Sequence, residues 1–326
     1  MTKIIPHQRA IGRLLRIMWH YRFSRRTEVP YAPYRLWIEP TNRCNLECVM
    51  CPNREQAEGE LGFMEQGLFR RVIDQAAGSV HDVNLHHRGE PTLHPELEEM
   101  IRYADGKGVK VKLHTNGTAL TEQRSEALLR SGLRLISFSF DGYDAETYES
   151  VRVGARFEAT LEKILRFLEL KRRFGPRGPR TVVEVMEIAG RAPDPAARAR
   201  FADSLAAAGL DRLIIKKPHN WAGNVDVGKS VPDAFSACTF PWHALVVLWD
   251  GRVGACPHDF FAKIIHGDVR DTPLREIFNS PRIRDLRASM REGRFEALSE
   301  PCRSCDTVRR KRAGGIPLSS LKFLRD

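Results

Sequence analysis

The sequence predicts an α/β protein, a mainly parallel sheet wrapped by helices and followed by a small cysteine-bearing module. Three observations carry the prediction. Between Tyr34 and Lys217, short apolar strands alternate with helical stretches six times, which calls for parallel strands joined by right-handed crossovers. Polar motifs recur directly after the first four strands. The seven cysteines fall in two groups, Cys44, Cys48, Cys51 and Cys238, Cys256, Cys302, Cys305, at spacings that suit metal ligands better than disulfides.

In chain order, residues 1–30 place Ile11, Leu14, Leu15, Met18 and Trp19 at helical spacing among Arg9, Arg13, Arg16 and Arg22. This is the pattern of a basic amphipathic helix. It is expected to pack on its own domain, with peripheral membrane or partner contact as the alternative. Strands are expected at 35–38, 83–86, 109–114, 135–140, 181–186 and 212–215, all rich in Val, Ile, Leu or Phe. Helices are expected near 65–77, 95–106, 121–130, 157–174 and 196–208, with Gly106, Gly132 and Gly209 as stops.

No GxGxxG follows the first strand, which argues against a dinucleotide-binding fold. The motifs after strands one to four are the Cys44 loop, His87-Arg88-Gly89-Glu90-Pro91, Thr115-Asn116-Gly117 and Ser139-Phe140-Asp141-Gly142. Polar residues gathered at the carboxyl ends of successive parallel strands mark a (β/α) barrel face. Further on, residues 242–256 read as a β-hairpin with Asp250-Gly251 at its tip.

With 326 residues, 42% of them hydrophobic, the chain can bury one large core or two moderate ones. It has no apolar run long enough to cross a membrane as a helix, and no apolar segment follows Arg25-Arg26, which argues against export. A reducing cytoplasm is the expected location. The net charge of +11 points to nucleic acid, an anionic membrane or an acidic protein.

Cys44-Asn-Leu-Glu-Cys48-Val-Met-Cys51 gathers three thiols in one loop, one short of a closed four-ligand site. Structural zinc needs a fourth Cys or His close by, and residues 52–64 offer neither. A 4Fe–4S cluster on three thiols leaves one iron open to an outside ligand. Set directly after the first strand, this CxxxCxxC loop resembles the signature of the radical S-adenosylmethionine (SAM) superfamily.

The resemblance implies a partial (β/α)6 barrel over 31–218 and SAM chelated to the open iron. Gly89, Glu90 and Pro91 match the GGEP-type motif that meets the SAM ammonium, although Arg88 stands where the pattern has its first Gly. Asn116 is expected among the cofactor contacts. Ser139, in an SxDG pattern with Asp141, is expected at the ribose, Arg152 at the SAM carboxylate, and Met50 beside the adenine.

The four later thiols make a closed site, suited to structural zinc or to an auxiliary Fe–S cluster. Trp221-Ala-Gly-Asn224, Gly267-Asp-Val269 and the stretch 274–279 resemble the SPASM and twitch extensions of radical SAM enzymes. This implies one auxiliary 4Fe–4S cluster in a small hairpin/helix domain over 219–308, before a basic tail at 309–326. The thiol spacing is similar to that of dehydrogenases of the 2-deoxy-scyllo-inosamine type.

The expected reaction is oxidation of a hydroxyl on a sugar or aminocyclitol-like small molecule to a ketone, with the closed cluster accepting an electron. Lys216, Lys217 or His219, after the sixth strand, is the expected base, with Glu184 and Glu187 as rivals. An acidic flavodoxin or ferredoxin donor accounts for the basic surface without a stable nucleic-acid partner. The alternatives are a peptide-modifying maturase and a zinc-stabilised basic module that binds nucleic acid. The first needs more cysteines for its usual two auxiliary clusters, and the second leaves the strand-end motifs unexplained.

Overall fold

Short β-branched strands and amphipathic helices alternate, so each strand can bury one face against a helix layer and turn the other inward. The structure, a computed structural model, describes residues 6–188, 193–226, 235–309, 312–313 and 316–317. The elements run α1 (Pro6–Arg22), β1 (Arg35–Ile38), α2 (Gln66–Ala76), β2 (Asp82–Leu85), α3 (Leu97–Gly106), β3 (Lys110–Thr115) and α4 (Glu122–Arg130). Next come β4 (Leu135–Ser139), α5 (Ala145–Val151), α6 (Phe157–Phe174), β5 (Arg180–Met186), α7 (Pro195–Ala207) and β6 (Arg212–Lys216). The last part holds β7 (Ala244–Val247), β8 (Arg252–Gly254), β9 (Ile265–Asp268), α8 (Leu274–Ile277), α9 (Pro281–Glu292) and α10 (Glu300–Arg303).

The sheet order is β6-β5-β4-β3-β2-β1-β7-β8-β9. The first six strands are parallel, as in a partial (β/α)6 barrel. β7 adds parallel to β1, from Arg35↔Ala244 to Ile38↔Val247. β8 and β9 then follow antiparallel, with Gly251 at φ 94° in the anticipated hairpin turn. The thiol-bearing C-terminal part therefore extends the barrel sheet.

Alternation divides the side chains into two sets. Leu36, Ile38, Val83, Leu85, Val111, Leu113, Ile136 and Phe138 are fully buried in the main core, where Phe138 meets Phe167 of α6 edge-to-face at 5.4 Å. The intervening residues face the concave side. There Arg35 and Lys112 hold Asp82 at 2.5 Å and 3.0 Å, and Trp37 packs with Val246 and Leu248. Caps start the helices, with Thr121 accepting from the Arg124 N–H and Asp194 from those of Ala196 and Ala197. Each is worth about 1 kcal/mol.

Two details differ from expectation. α3 ends with Gly106, but the left-handed residue of that turn is Gly108, at φ 72°. α5 is an unanticipated short helix, capped by Asp144 accepting from the Thr147 N–H at 2.8 Å. The basic run at 309–312 falls outside the residues whose side chains are described.

Candidate active site

The first thiol loop leaves β1 through Thr41-Asn42-Arg43, whose side chains pin it to the chain that follows. Thr41 Oγ1 donates to Gly62 O at 2.6 Å, and Asn42 Oδ1 accepts from Gly62 N at 2.8 Å. Gly89 lies directly against this segment. A Cβ there would sit 2.4 Å from Thr41 O and 2.5 Å from Arg43 O, so only glycine fits. The neighbouring Glu90 N–H donates to Arg43 O at 2.8 Å. The motif after β2 thus holds the cysteine loop in place.

Glu90 is buried and accepts from four donors: Thr92 N (2.9 Å), Thr92 Oγ1 (2.5 Å), Thr115 Oγ1 (2.7 Å) and Asn116 N (2.6 Å). Three reach Oε1 and one reaches Oε2, so Oε2 keeps an acceptor position for an ammonium group. Pro91 starts a buried single turn behind it. The Asn116 side chain donates to Asn45 Oδ1 at 3.0 Å within the thiol loop, and Ser139 is half-buried at the end of β4.

Arg152 is a buried residue at the C-cap of α5. It pairs with Asp141 at 2.6 Å and lies 4.0 Å from Cys48 Sγ. Asp141 Oδ1 also accepts from Met186 N at 2.7 Å. Burial opposes the arginine charge, but Asp141 and Cys48 outweigh it and raise its pKa. Its Nε is buried without a partner among the described residues, leaving one donor for a carboxylate.

Arg88, where the family pattern has glycine, forms a buried bidentate pair with Glu39, both contacts at 2.7 Å. Trp249 N–H adds a longer bond to the same carboxylate, at 3.3 Å. Burial would raise the Glu39 pKa, yet the guanidinium overcomes this and holds it below the usual carboxylate range. The pair ties the ends of β1 and β2 to the β7–β8 turn.

Burial raises the thiol pKa values to about 11 at Cys44 and about 12 at Cys51. The second set, Cys238, Cys256, Cys302 and Cys305, lines one cavity with Phe240, Leu286 and Met290. Two backbone N–H groups point at its sulfurs, His258 N to Cys256 Sγ at 3.3 Å and Thr307 N to Cys305 Sγ at 3.4 Å.

Among the described residues, the side chains that gather within 4.8 Å are His258, Cys305 and Asp306, and no three of the seven thiols do so. Four thiols on one cavity supply the closed ligand set of an iron–sulfur cluster.

The two thiol sites are joined through Trp221. Its indole N–H donates to Met50 O at 3.0 Å, between Cys48 and Cys51. Its ring meets Phe260 and His219, and His219 stacks on His258 at 4.5 Å. Trp221 and Ala222 both have positive φ, 46° and 54°, a conformation costing about 1–3 kcal/mol each that concentrates at functional sites.

The concave lumen holds two groups the sequence analysis did not single out, His86 and His114, whose tilted rings lie 4.1 Å apart. At its rim the expected bases Glu184 and Lys216 pair with each other. Burial lowers the His114 pKa to about 3, with Lys216, Lys112 and Arg35 adding to the effect, and lowers His86 well below its ordinary value. Both imidazoles are neutral near pH 7. Asn84 Nδ2, Ser137 Oγ and His86 Nδ1 are buried without partners among the described residues. A period-two signal was available: Asp82, Asn84 and His86, then Lys112 and His114, alternate with the core residues. Of the expected bases, Lys216 is tied to Glu184, Lys217 is exposed, and His219 sits beside the second thiol site. Glu187 accepts from the Tyr143 hydroxyl at 2.8 Å.

Comparison with known proteins agrees with this geometry. The chain is 26% identical to the tungsten-containing aldehyde ferredoxin oxidoreductase cofactor-modifying protein of Pyrococcus furiosus, over 76% of this chain and 81% of that one. It is also 26% identical to a PqqA peptide cyclase of Gluconobacter oxydans, over 88% and 86%. The crystal structure of BtrN in complex with AdoMet and 2-DOIA matches with a TM-score of 0.57 at 20% identity, over 89% of this chain and all (100%) of that one. Residues 38–175 match the Radical SAM superfamily and residues 238–306 the Iron-sulfur cluster-binding domain SPASM. The two domains imply SAM together with 4Fe–4S clusters. With its open three-thiol loop on the barrel face and its four-thiol cavity beyond, the chain carries a Radical SAM domain and a SPASM domain.

Proposed function

We propose that the protein is a radical SAM oxidoreductase that converts a hydroxyl of a sugar or aminocyclitol-like molecule to a ketone. The observation that carries this reading is the pair of thiol sites, one open and one closed, beside a lumen lined with buried polar groups. When bound, the SAM–cluster centre supplies a carbon radical that takes hydrogen from a C–H bond, and the closed cluster takes up the second electron.

The chain's own groups divide the remaining work. Glu90 Oε2 and the Arg152 Nε would hold the ammonium and carboxylate groups of SAM, and Gly89 lets their loops close on the cysteines. Asn116 and Ser139 border the same strand ends. In the lumen, Asn84, Ser137 and the Glu184–Lys216 pair offer hydrogen bonds to hydroxyls. The Glu184–Lys216 pair, both of them expected bases, takes up the hydroxyl proton, while buried His86 and His114 stay neutral and hydrogen-bond hydroxyls. Trp221 spans the gap between the thiol sites. The likeness to BtrN, solved in complex with AdoMet and 2-DOIA, adds support at the level of fold.

The test is anaerobic turnover with dithionite, SAM and a panel of polyols and aminocyclitols. A ketone trapped with a hydrazine in step with 5′-deoxyadenosine supports the reading. Release of 5′-deoxyadenosine with no carbonyl from any of the panel would sink it. The likeness to a PqqA peptide cyclase favours a second reading, modification of a peptide. A substrate peptide whose mass changes on incubation would establish that reading instead.

A further inference from the structure

The helix α1 has two apolar faces, and the fold covers one of them. Ile17 and Tyr21 are buried, and Leu14 and Met18 pack against the core. Tyr21 donates its hydroxyl to Ala237 O and meets Trp242 edge-to-face. Arg13 donates to Gly78 O at 2.7 Å and Ser79 O at 3.0 Å. These partners precede β7 and β2, so α1 lies at the amino ends of the strands, away from the thiol loop.

The other face is exposed. Ile11, Leu15, Trp19 and Phe23 recur every fourth residue and keep 56%, 66%, 59% and 65% of their surface. Steps of four residues at 1.5 Å each carry this row for about 18 Å along the helix. They are half of the eight large apolar side chains exposed among the described residues. Arg16, Arg22, Arg25 and Arg26 are exposed beside them, and the Arg22 guanidinium lies 5.6 Å from the Phe23 ring. From Pro6 to Thr27 the sequence has six arginines and no carboxylate.

We propose that this face docks the protein on an anionic membrane surface. Aromatic and aliphatic side chains in a row, bordered by arginine and free of acidic residues, match an interface of acyl chains beneath anionic headgroups. An acidic protein partner would meet the arginines but leave four exposed apolar side chains unused. A second copy would place the two arginine sets against each other. With α1 at the amino ends of the strands, a docked molecule keeps its active-site mouth facing the aqueous phase.

The test is cosedimentation of the full, cluster-loaded chain with vesicles of phosphatidylcholine containing about 30% phosphatidylglycerol, beside pure phosphatidylcholine. The protein is expected to pellet with the anionic vesicles and to be released by salt. The variant Leu15→Ser/Trp19→Ser/Phe23→Ser should partition roughly tenfold more weakly, with unchanged helicity and 5′-deoxyadenosine release. Arg16→Gln/Arg22→Gln/Arg25→Gln should abolish the preference for anionic lipid. Wild-type protein left in the supernatant, equal binding to neutral vesicles, or equal binding by the serine variant would overturn the proposal. So would a dimer in sedimentation velocity that the serine variant dissolves.

Discussion

Replacing Arg88 with methionine removes both 2.7 Å contacts to Glu39 and keeps the apolar stem. Glu39 is fully buried. Its remaining donors would be two backbone N–H groups, each at 3.3 Å. An ion pair broken on one side in such a place costs about 3–5 kcal/mol, a large part of the ~5–15 kcal/mol that holds a typical protein together. The double variant Arg88→Met/Glu39→Leu has no stranded charge and should recover to within about 1.5 kcal/mol of wild type.

The pH dependence follows from the sign of the shift. In wild type, the lowered Glu39 pKa contributes stability that is present above the unfolded carboxylate value and lost as pH falls through the folded value. In Arg88→Met, burial outweighs the two remaining N–H donors and raises the pKa, so the penalty is greatest at neutral pH and fades as the group protonates. The gap between the two proteins should therefore narrow on acidification. Anaerobic urea unfolding at several pH values measures it. A single variant within about 0.5 kcal/mol of wild type at neutral pH, or a double variant as unstable as the single, would refute the reasoning.

Gly89→Ala should leave the barrel folded by circular dichroism but displace the thiol loop, because its Cβ meets backbone oxygens at 2.4 and 2.5 Å; reductive SAM cleavage falls while far-ultraviolet spectra hold. Iron analysis of reconstituted protein should give about eight Fe per chain, and about four once Cys302 and Cys305 are both serine. Arg152→Met, which strands Asp141, should weaken SAM binding in anaerobic calorimetry and lower the unfolding midpoint, whereas Arg152→Lys should restore part of the midpoint.

His114 and His243 have folded pKa values lowered by burial to about 3. The unfolded chain therefore binds protons first as pH falls, and each residue removes up to about 2 kcal/mol between about pH 7.5 and 5. A chain as stable at the lower pH as at the higher one would contradict this.

The alternation of strands and helices was legible because each strand buries one face against a helix, which writes Leu, Val and Ile into the sequence at regular places. The first cysteine group was legible because its three thiols share one short loop, and the second through its closing Cys302–Cys305 pair. What escaped was set by partners distant in sequence. Arg88 reads as a departure from a motif until Glu39, 49 residues away, is seen against it. Glu90 reads as a ligand, and two of its four internal donors, Thr115 and Asn116, emerge only when β2 and β3 lie side by side. His86 and His114 face each other across neighbouring strands, a meeting that depends on register. In α1, the sequence shows one amphipathic helix, while the fold determines which apolar face stays uncovered.

The seam between β1 and β7 limits how this protein can be taken apart. Removing everything after β6 would strip β1 of its neighbour and leave Arg35–Ile38 with unpaired amides along an apolar margin, an invitation to stick to other chains. Chimaeras that exchange C-terminal halves between relatives must therefore carry a graft whose first strand keeps the Arg35↔Ala244 alignment. A shift of one residue would turn Val246 and Leu248 away from Trp37 and put Leu245 and Val247 there instead.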